Sequence, residues 1–346
     1  MSRLIPALVL AVSLVSCAEP SLPSDPTLHF DRHVKIVPSR VVDSEKLGLL
    51  YPAYLFLFNG WIVTQDFATA RSQVCFVSRD YSCVHRAIDV GRGPDEMSEA
   101  GRLGVDDDGV YLYDNNFGRM FSLDVCDSSL AIVSRDDFHN YGGTPVTFDH
   151  GHVLQSPFTD SLMMRLSDNE GTIISGIPYP HDDVLDGYDF LSLNSLYCNS
   201  VIALSPDRSH FAVAPSETGM YIFGSINGLN LNVSRTLNYY SVTLTKNRYG
   251  DNFLVPNQHS RINAVYAMAT NSHVAFLFSG NPNSRVDLVG RDILVYKWDG
   301  TPVVHLISDS DLKSICYDPS SHRIIAIGYT PDPSFLEFSL PDGISL

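Results

Sequence analysis

Few groupings in this 346-residue chain carry the residue types and spacing that chemistry requires. Carboxylates are plentiful, with Asp106-Asp107-Asp108 in one run and Asp182, Asp183, Asp186 and Asp189 in another. The first run falls in a turn and is expected as a solvated hairpin tip. The second could hold Ca²⁺ through hard oxygens, but it lacks the fixed ligand order of a calcium loop. Gly91-Arg92-Gly93-Pro94-Asp95-Glu96 joins turn formers to three charges. Arg92, Asp95 and Glu96 could line a binding face, or Glu96 could simply tie the turn to its neighbour. Two such carboxylates could also serve as the acid and base of a glycoside hydrolase or lyase, yet no sequence feature selects a pair.

Aromatic residues form the second group. Tyr179, Tyr188 and Phe190 lie in the stretch 177–198, and Tyr239, Tyr240, Arg248 and Tyr249 in the stretch 238–263. Tyrosine offers a flat apolar face and a hydrogen-bonding tip, which suits sugars, peptides and protein surfaces alike. The same rings could instead cover the flank of the fold. GxxxxGK[ST], HExxH and GxSxG are absent, and Gly91-Arg92-Gly93 lacks the third glycine of a dinucleotide loop. No catalytic residue, metal ligand set or cofactor is therefore expected. Of twelve histidines, His150, His152, His210, His273 and His322 recur at one place in a repeat, which implies structure rather than ligation.

The elements that must position these groups are strands. Charged residues make up 18% of the chain, low for a globular protein, while 17 Tyr and 18 Phe argue against disorder. A net charge of −16 without a Lys/Arg run argues against nucleic acid or an anionic membrane surface as partner. Sustained 3.6-residue periodicity is missing, and short apolar runs are bounded by Gly, Asn, Asp, Ser and Pro. Turns at 60, 109, 151, 209, 272 and 321 each precede a short apolar strand, such as WIVTQ, VYLYD or HFAVA. Each is followed by a second strand (74–78, 120–125, 162–167, 220–225, 293–298 and 335–340). Inner-strand candidates precede the turns at 53–58, 103–106, 145–148, 200–205, 264–270 and 314–318. Outer strands such as 131–134 and 302–307 follow in five units.

Six such units predict an all-β, six-bladed β-propeller with four-stranded antiparallel blades. The sixth unit ends at Leu346 without an outer strand, so HFDRHVKIV (29–37) is expected to supply it and close the ring. Long connections at 177–198, 238–263 and 279–292 would build up one face, where loops vary and ligands bind.

Residues 1–16 read as a lipoprotein signal peptide: Arg3 precedes an apolar run too short to span a bilayer. Leu14-Val15-Ser16-Cys17 resembles a bacterial lipobox, with Cys17 as the lipid attachment site. Residues 17–28 read as a Pro/Ser tether and 29–346 as the propeller. The remaining Cys75, Cys83, Cys126, Cys198 and Cys316 form no C-x-x-C. Cys75 and Cys83 could pair across a hairpin, with buried free thiols the favoured alternative.

Two segments carry a family resemblance. ALSPDRSHFAVA (203–214) resembles the S-P-D-G repeat of TolB-type propellers. IDVGRGPDEM (88–97) resembles the G-x-G-P loop after the first blade of the TolB-like six-bladed β-propeller lipoproteins of Bacteroidetes-type bacteria. The resemblance spans nearly the whole chain and implies architecture and envelope location rather than a reaction. The expectation is a lipid-anchored binding module whose loop-rich face takes a protein, peptide or glycan and which meets the membrane through its lipid alone. The alternative is a polysaccharide hydrolase or lyase using carboxylates or Ca²⁺. Ala18 after the cysteine and the absence of an acidic cluster favour the outer membrane facing the periplasm, with cell-surface display as the other arrangement.

Overall fold

Apolar runs bounded by turn formers become strands in the computed structural model, paired antiparallel within each blade. It describes residues 25–346 except 68–73, 99–101, 107–108, 115, 127–128, 140–144, 150, 158–160, 181–195, 243, 247–253, 258–259, 284–287, 342 and 345. Four sheets are four-stranded blades, each with its strands a to d running from the axis outward. Blade one is Pro52–Phe58, Trp61–Asp66, Val74–Ser78 and Val84–Ala87. Blade two is Arg102–Val105, Val110–Asp114, Arg119–Cys126 and Ser129–Asp137. Blade three is Val146–Asp149, His152–Gln155, Leu162–Asp168 and Ile173–Pro178. Blade four is Ser200–Leu204, His210–Pro215, Met220–Asn227 and Asn230–Asn238.

An eight-stranded sheet supplies the other two blades. Its seventeen-residue strand Pro302–Asp318 is shared. The first half pairs with Gly290–Lys297 as strand d of blade five, outside Ala264–Ala269 and His273–Phe278. The second half pairs with Arg323–Tyr329 as strand a of blade six, which continues to Pro333–Ser339. Each a strand neighbours the next around the axis and the sixth neighbours the first, so the ring closes at six.

Packing explains the pattern of apolar runs. Strands b and c are covered on both faces by neighbouring blades, so they read as unbroken apolar stretches; Val74–Ser78 is buried but for its last residue. Strand d of blade four, by contrast, is mostly exposed and polar. Between blades one and two, Phe76 and Val63 meet Leu112 and Phe121; between four and five, Tyr221 and Phe223 meet Phe276 and Tyr296. A fully buried aromatic contributes roughly 2–3 kcal/mol, against about 0–1 for an exposed ion pair, so aromatic packing between blades holds the ring.

The N-terminal segment closes the ring, but with a strand further along the chain than the sequence suggested. Arg40–Asp43, not 29–37, pairs antiparallel with Pro333–Ser339 as strand d of blade six. His33–Ile36 instead adds in parallel to His305–Ser308 as a fifth strand on blade five. The reason is burial at two edges rather than one: Ile36 packs with Val304 and Leu306, and Phe30 packs against Tyr296 at 5.1 Å. A polar relay fixes the register. His305 Nε2 lies 2.7 Å from Asp292 Oδ1 and its Nδ1 2.9 Å from His33 Nδ1. Donation to the carboxylate leaves His305 Nδ1 to accept from His33. The last residues of the segment read as a tether are folded: Pro26–His29 forms a 3₁₀ turn with Pro26 buried and Asp25 paired with Arg261.

Cys75 lies opposite Arg86, not Cys83, and both thiols are free. Burial pushes the Cys75 thiol up to about 12, against the pull of Arg86. Cys17 and residues 1–24 lie outside the described residues, as do Tyr188, Phe190, Arg248, Tyr249 and the acidic run 182–189. Among the described residues no helix is long and apolar enough to cross a membrane.

Candidate functional site

The six a strands do not meet at the axis; they line a cavity of about 1080 Å³. Its walls are largely apolar and come from every blade, among them Leu57, Val105, Val146, Val201, Ala267 and Ile315. The a–b turns form its lower mouth, while the b–c turns and d–a connections form its upper one.

The lower mouth is charge-matched. Asp106 ends strand a of blade two, accepts the Gly109 N–H at 2.9 Å and meets Arg208 of blade four at 3.4 Å. Its side chain is only 6% exposed, so Asp106 is a buried anchor that links two turns across the end of blade three rather than part of a solvated tip, while Asp107 and Asp108 lie outside the described residues. Arg208 occupies the glycine place of the S-P-D-G pattern and takes its left-handed backbone, φ +60°, so the turn keeps its shape while gaining a guanidinium. Beside it Asp207 accepts from the Ser205 and Ser209 hydroxyls and the Ser209 N–H, and those bonds hold its carboxyl down at about 2. The repeated histidines belong to these lower turns: His152 pairs with Asp149, His210 stacks on Trp298, and His322 contacts the Tyr317 hydroxyl.

Inside the channel Tyr266 of blade five braces blade one. Its hydroxyl accepts the Leu55 N–H at 2.9 Å and donates to the Leu55 carbonyl at 3.0 Å. Both strands bulge there, and Tyr54 sits in the bulge at φ +54°, a costly conformation for a side chain of its size. Tyr54 and Tyr266 both line the cavity.

The upper mouth carries Arg102, Asn116, Cys198, Glu217 and Leu288, the last 58% exposed. Glu217 lies in the b–c turn of blade four (216–219). That turn is pinned by the Ser216 hydroxyl, whose one proton is shared between the carbonyls of Asn199 and Ala264. Tyr240 packs its backbone onto Gly219, where an added Cβ would stand 2.6 Å from Tyr240 N and O. Glu217 Oε2 is buried without a hydrogen-bond partner among the described residues. Burial alone pushes its carboxyl above the usual range, and the Glu217 charge adds to the burial that raises the Cys198 thiol.

Of the residues singled out from sequence, few reach this channel. Glu96 folds back on its own loop, accepting the Gly93 N–H at 2.7 Å, with Gly91 leaving room for the carboxylate. Asp95 pairs with Arg135 on strand d of blade two, and Arg119 donates to the Gly93 carbonyl at 2.6 Å. Arg92 is exposed, and none of Arg92, Asp95 and Glu96 lines the cavity. The loop is thus tied to blade two, and its two carboxylates are not assembled as an acid/base pair over the channel. Tyr179 packs on Tyr197 at 5.4 Å. Tyr239 and Tyr240 are buried: Tyr239 sits among His29, Tyr221 and Tyr296, so these rings cover the flank of blade four rather than face a ligand. Among the described residues no three His, Cys, Asp or Glu side chains gather as a metal site. Glu217, Tyr54 and Tyr266 were not singled out. Glu217 could have been found as the one charge in a turn between the apolar strands FAVAP and MYIFGS.

Comparison with known proteins supports the ring and little beyond it. No curated protein matches the sequence. A Bacteroides fragilis protein named as a candidate exported protein superposes with a TM-score of 0.55 at 11% identity, covering 88% of this chain and 98% of that one. The β-propeller domain of Myceliophteria thermophila Cps50 (Swd1) gives 0.48 at 10% identity, with 88% and 100% covered. The WD40 repeats of RRP9 give 0.49 at 9%, also with 88% and 100% covered. The sequence model described as TolB-like 6-blade propeller-like matches residues 31–320. With six blades, the shared strand at the seam and that match, the chain belongs to the TolB-like six-bladed propeller family.

Proposed function

We propose that the chain is a non-catalytic binding module of the cell envelope that receives a protein, peptide or glycan at its upper face. The observation that carries it is a ring around a cavity of about 1080 Å³ whose two mouths differ: charges are paired at one, and at the other a carboxylate oxygen has no donor among the described residues. Regular blades with long connections at one mouth suit recognition, because the site is organised before the ligand arrives. Lipid attachment at Cys17 and an outer-membrane position facing the periplasm belong to the same proposal. They are supported by the N-terminal sequence and by the name of the Bacteroides fragilis neighbour.

The full chain should capture a partner from envelope extract. Replacing Tyr188, Arg248 and Tyr249 together by alanine, or Tyr54 alone, should abolish capture while the melting temperature of the triple variant stays the same. Capture that survives all of these changes overturns the assignment of the upper face. Labelled palmitate should enter the wild type but not Cys17→Ser, and protease treatment of intact cells should spare the protein.

A further inference from the structure

We propose that the upper mouth receives an ammonium group, either a lysine side chain or the free amino terminus of a peptide, against the Glu217 carboxylate. The inference rests on the channel being the ligand site. The fully buried carboxylates among the described residues have their donors. Asp66 takes the Leu50 and Tyr51 N–H groups, and Asp114 takes Ser98 through both its N–H and its hydroxyl. Asp318 is held by Ser320, Ser321 and Arg79, and Glu337 by Arg40 and Arg323. Glu217 Oε2 is the exception among the described residues. A buried carboxylate oxygen without a donor is costly, so its persistence at a cavity mouth points to a donor that comes from outside.

A carboxylate can only accept, so a donor-rich cation complements Glu217. A metal ion fits less well, because no second or third carboxylate, histidine or thiolate joins Glu217 as a ligand set among the described residues. Apolar walls such as Val201, Ala203 and Val265 suit the methylene stem behind an ammonium, and the rings of Tyr54 and Tyr266 offer π faces to a cation. The acidic chain as a whole draws cations toward it.

The test titrates trilysine, fully acetylated trilysine and maltotriose into the full chain at roughly physiological salt, where long-range attraction is screened. Wild type is compared with Glu217→Gln and with Glu170→Gln, which removes the same charge from an exposed site. Trilysine should bind wild type and Glu170→Gln alike, and at least tenfold more weakly to Glu217→Gln. The acetylated form should bind wild type at least tenfold more weakly than the free amine. Folding of Glu217→Gln is checked by a melting temperature no lower than wild type. The proposal is overturned if trilysine does not bind wild type, if both variants weaken it equally, or if acetylation makes no difference. Should maltotriose bind in place of trilysine and be lost in Tyr54→Ala, the channel remains the ligand site and the ammonium proposal falls alone. Should no probe bind and envelope extract yield no partner, both fall.

Discussion

Two ends of one channel solve the problem of polar groups near an apolar wall in opposite ways. At the lower mouth Asp106 has the Gly109 N–H and Arg208, Asp207 has serine hydroxyls, and Asp149 has His152. At the upper mouth Glu217 has no described donor, although the neighbouring Ser216 is bonded to two carbonyls. Both ends are built from short turns between the same kinds of strand, so turn geometry alone does not account for the difference. Pairing at one end makes that end structural. An unmatched acceptor at the other costs stability and is tolerable where a ligand or solvent can complete it, the pattern expected where function opposes stability.

The comparison breaks most visibly at the lower mouth. Asp106→Ala removes the acceptor of both the Gly109 N–H and Arg208, and should lower unfolding free energy by about 2–3 kcal/mol in urea titrations. Arg208→Gly should cost less, about 1 kcal/mol, because glycine relaxes the left-handed backbone while the ion pair is lost. If Asp106→Ala were neutral, the lower mouth would not be the structural end. Between these two in size comes Tyr266→Phe, which leaves the Leu55 N–H and carbonyl without their shared hydroxyl inside the channel. A loss of about 2 kcal/mol is expected, with the fold otherwise kept.

Glu217→Gln should act with the opposite sign. A carboxyl whose proton affinity is raised in the folded state makes the native protein hold more protons than the unfolded chain, over the interval from the ordinary glutamate range up to its folded value. Stability then falls as pH rises through that interval and is level above it. The glutamine variant should lack this fall. Because the side chain is partly exposed and screened by solvent, it should gain only a few tenths of a kcal/mol at neutral pH. Parallel stability–pH curves for the two proteins would remove the argument that Glu217 is unsatisfied.

How far these features were legible in sequence follows from what each depends on. The blades are local: an apolar run and its turn formers lie within about ten residues, and strands such as Val74–Ser78 fell where the pattern put them. Ring closure is not local. RVVD at 40–43 and HVKI at 33–36 are equally plausible edge strands, and only the burial of Phe30 and Ile36 against blade five decides which goes where. The site is less local still. Tyr54 and Tyr266 lie in apolar strands that read as core, and nothing in AYLFLF or AVYAMAT announces the bulges that turn them to the cavity. The conspicuous residues were open to two readings for the same reason. Tyr239 and Tyr240 stand in a long loop, as ligand-binding aromatics do, but Gly219 lets that loop lie flat on blade four and buries them.

The smallest expected effect tests the boundary of the comparison. Asp95 and Arg135 pair on the flank of blade two with more than half of each side chain exposed, so Asp95→Asn should change stability by no more than about 0.5 kcal/mol. It should also leave partner capture unchanged, since the loop's shape depends on Glu96 and on Arg119 reaching the Gly93 carbonyl rather than on this pair. Unfolding curves together with capture from envelope extract measure both. If Asp95→Asn left stability intact but abolished capture, the ligand would lie on the flank of blade two. The unmatched carboxylate at the upper mouth would then be a cost of the fold rather than the mark of its site.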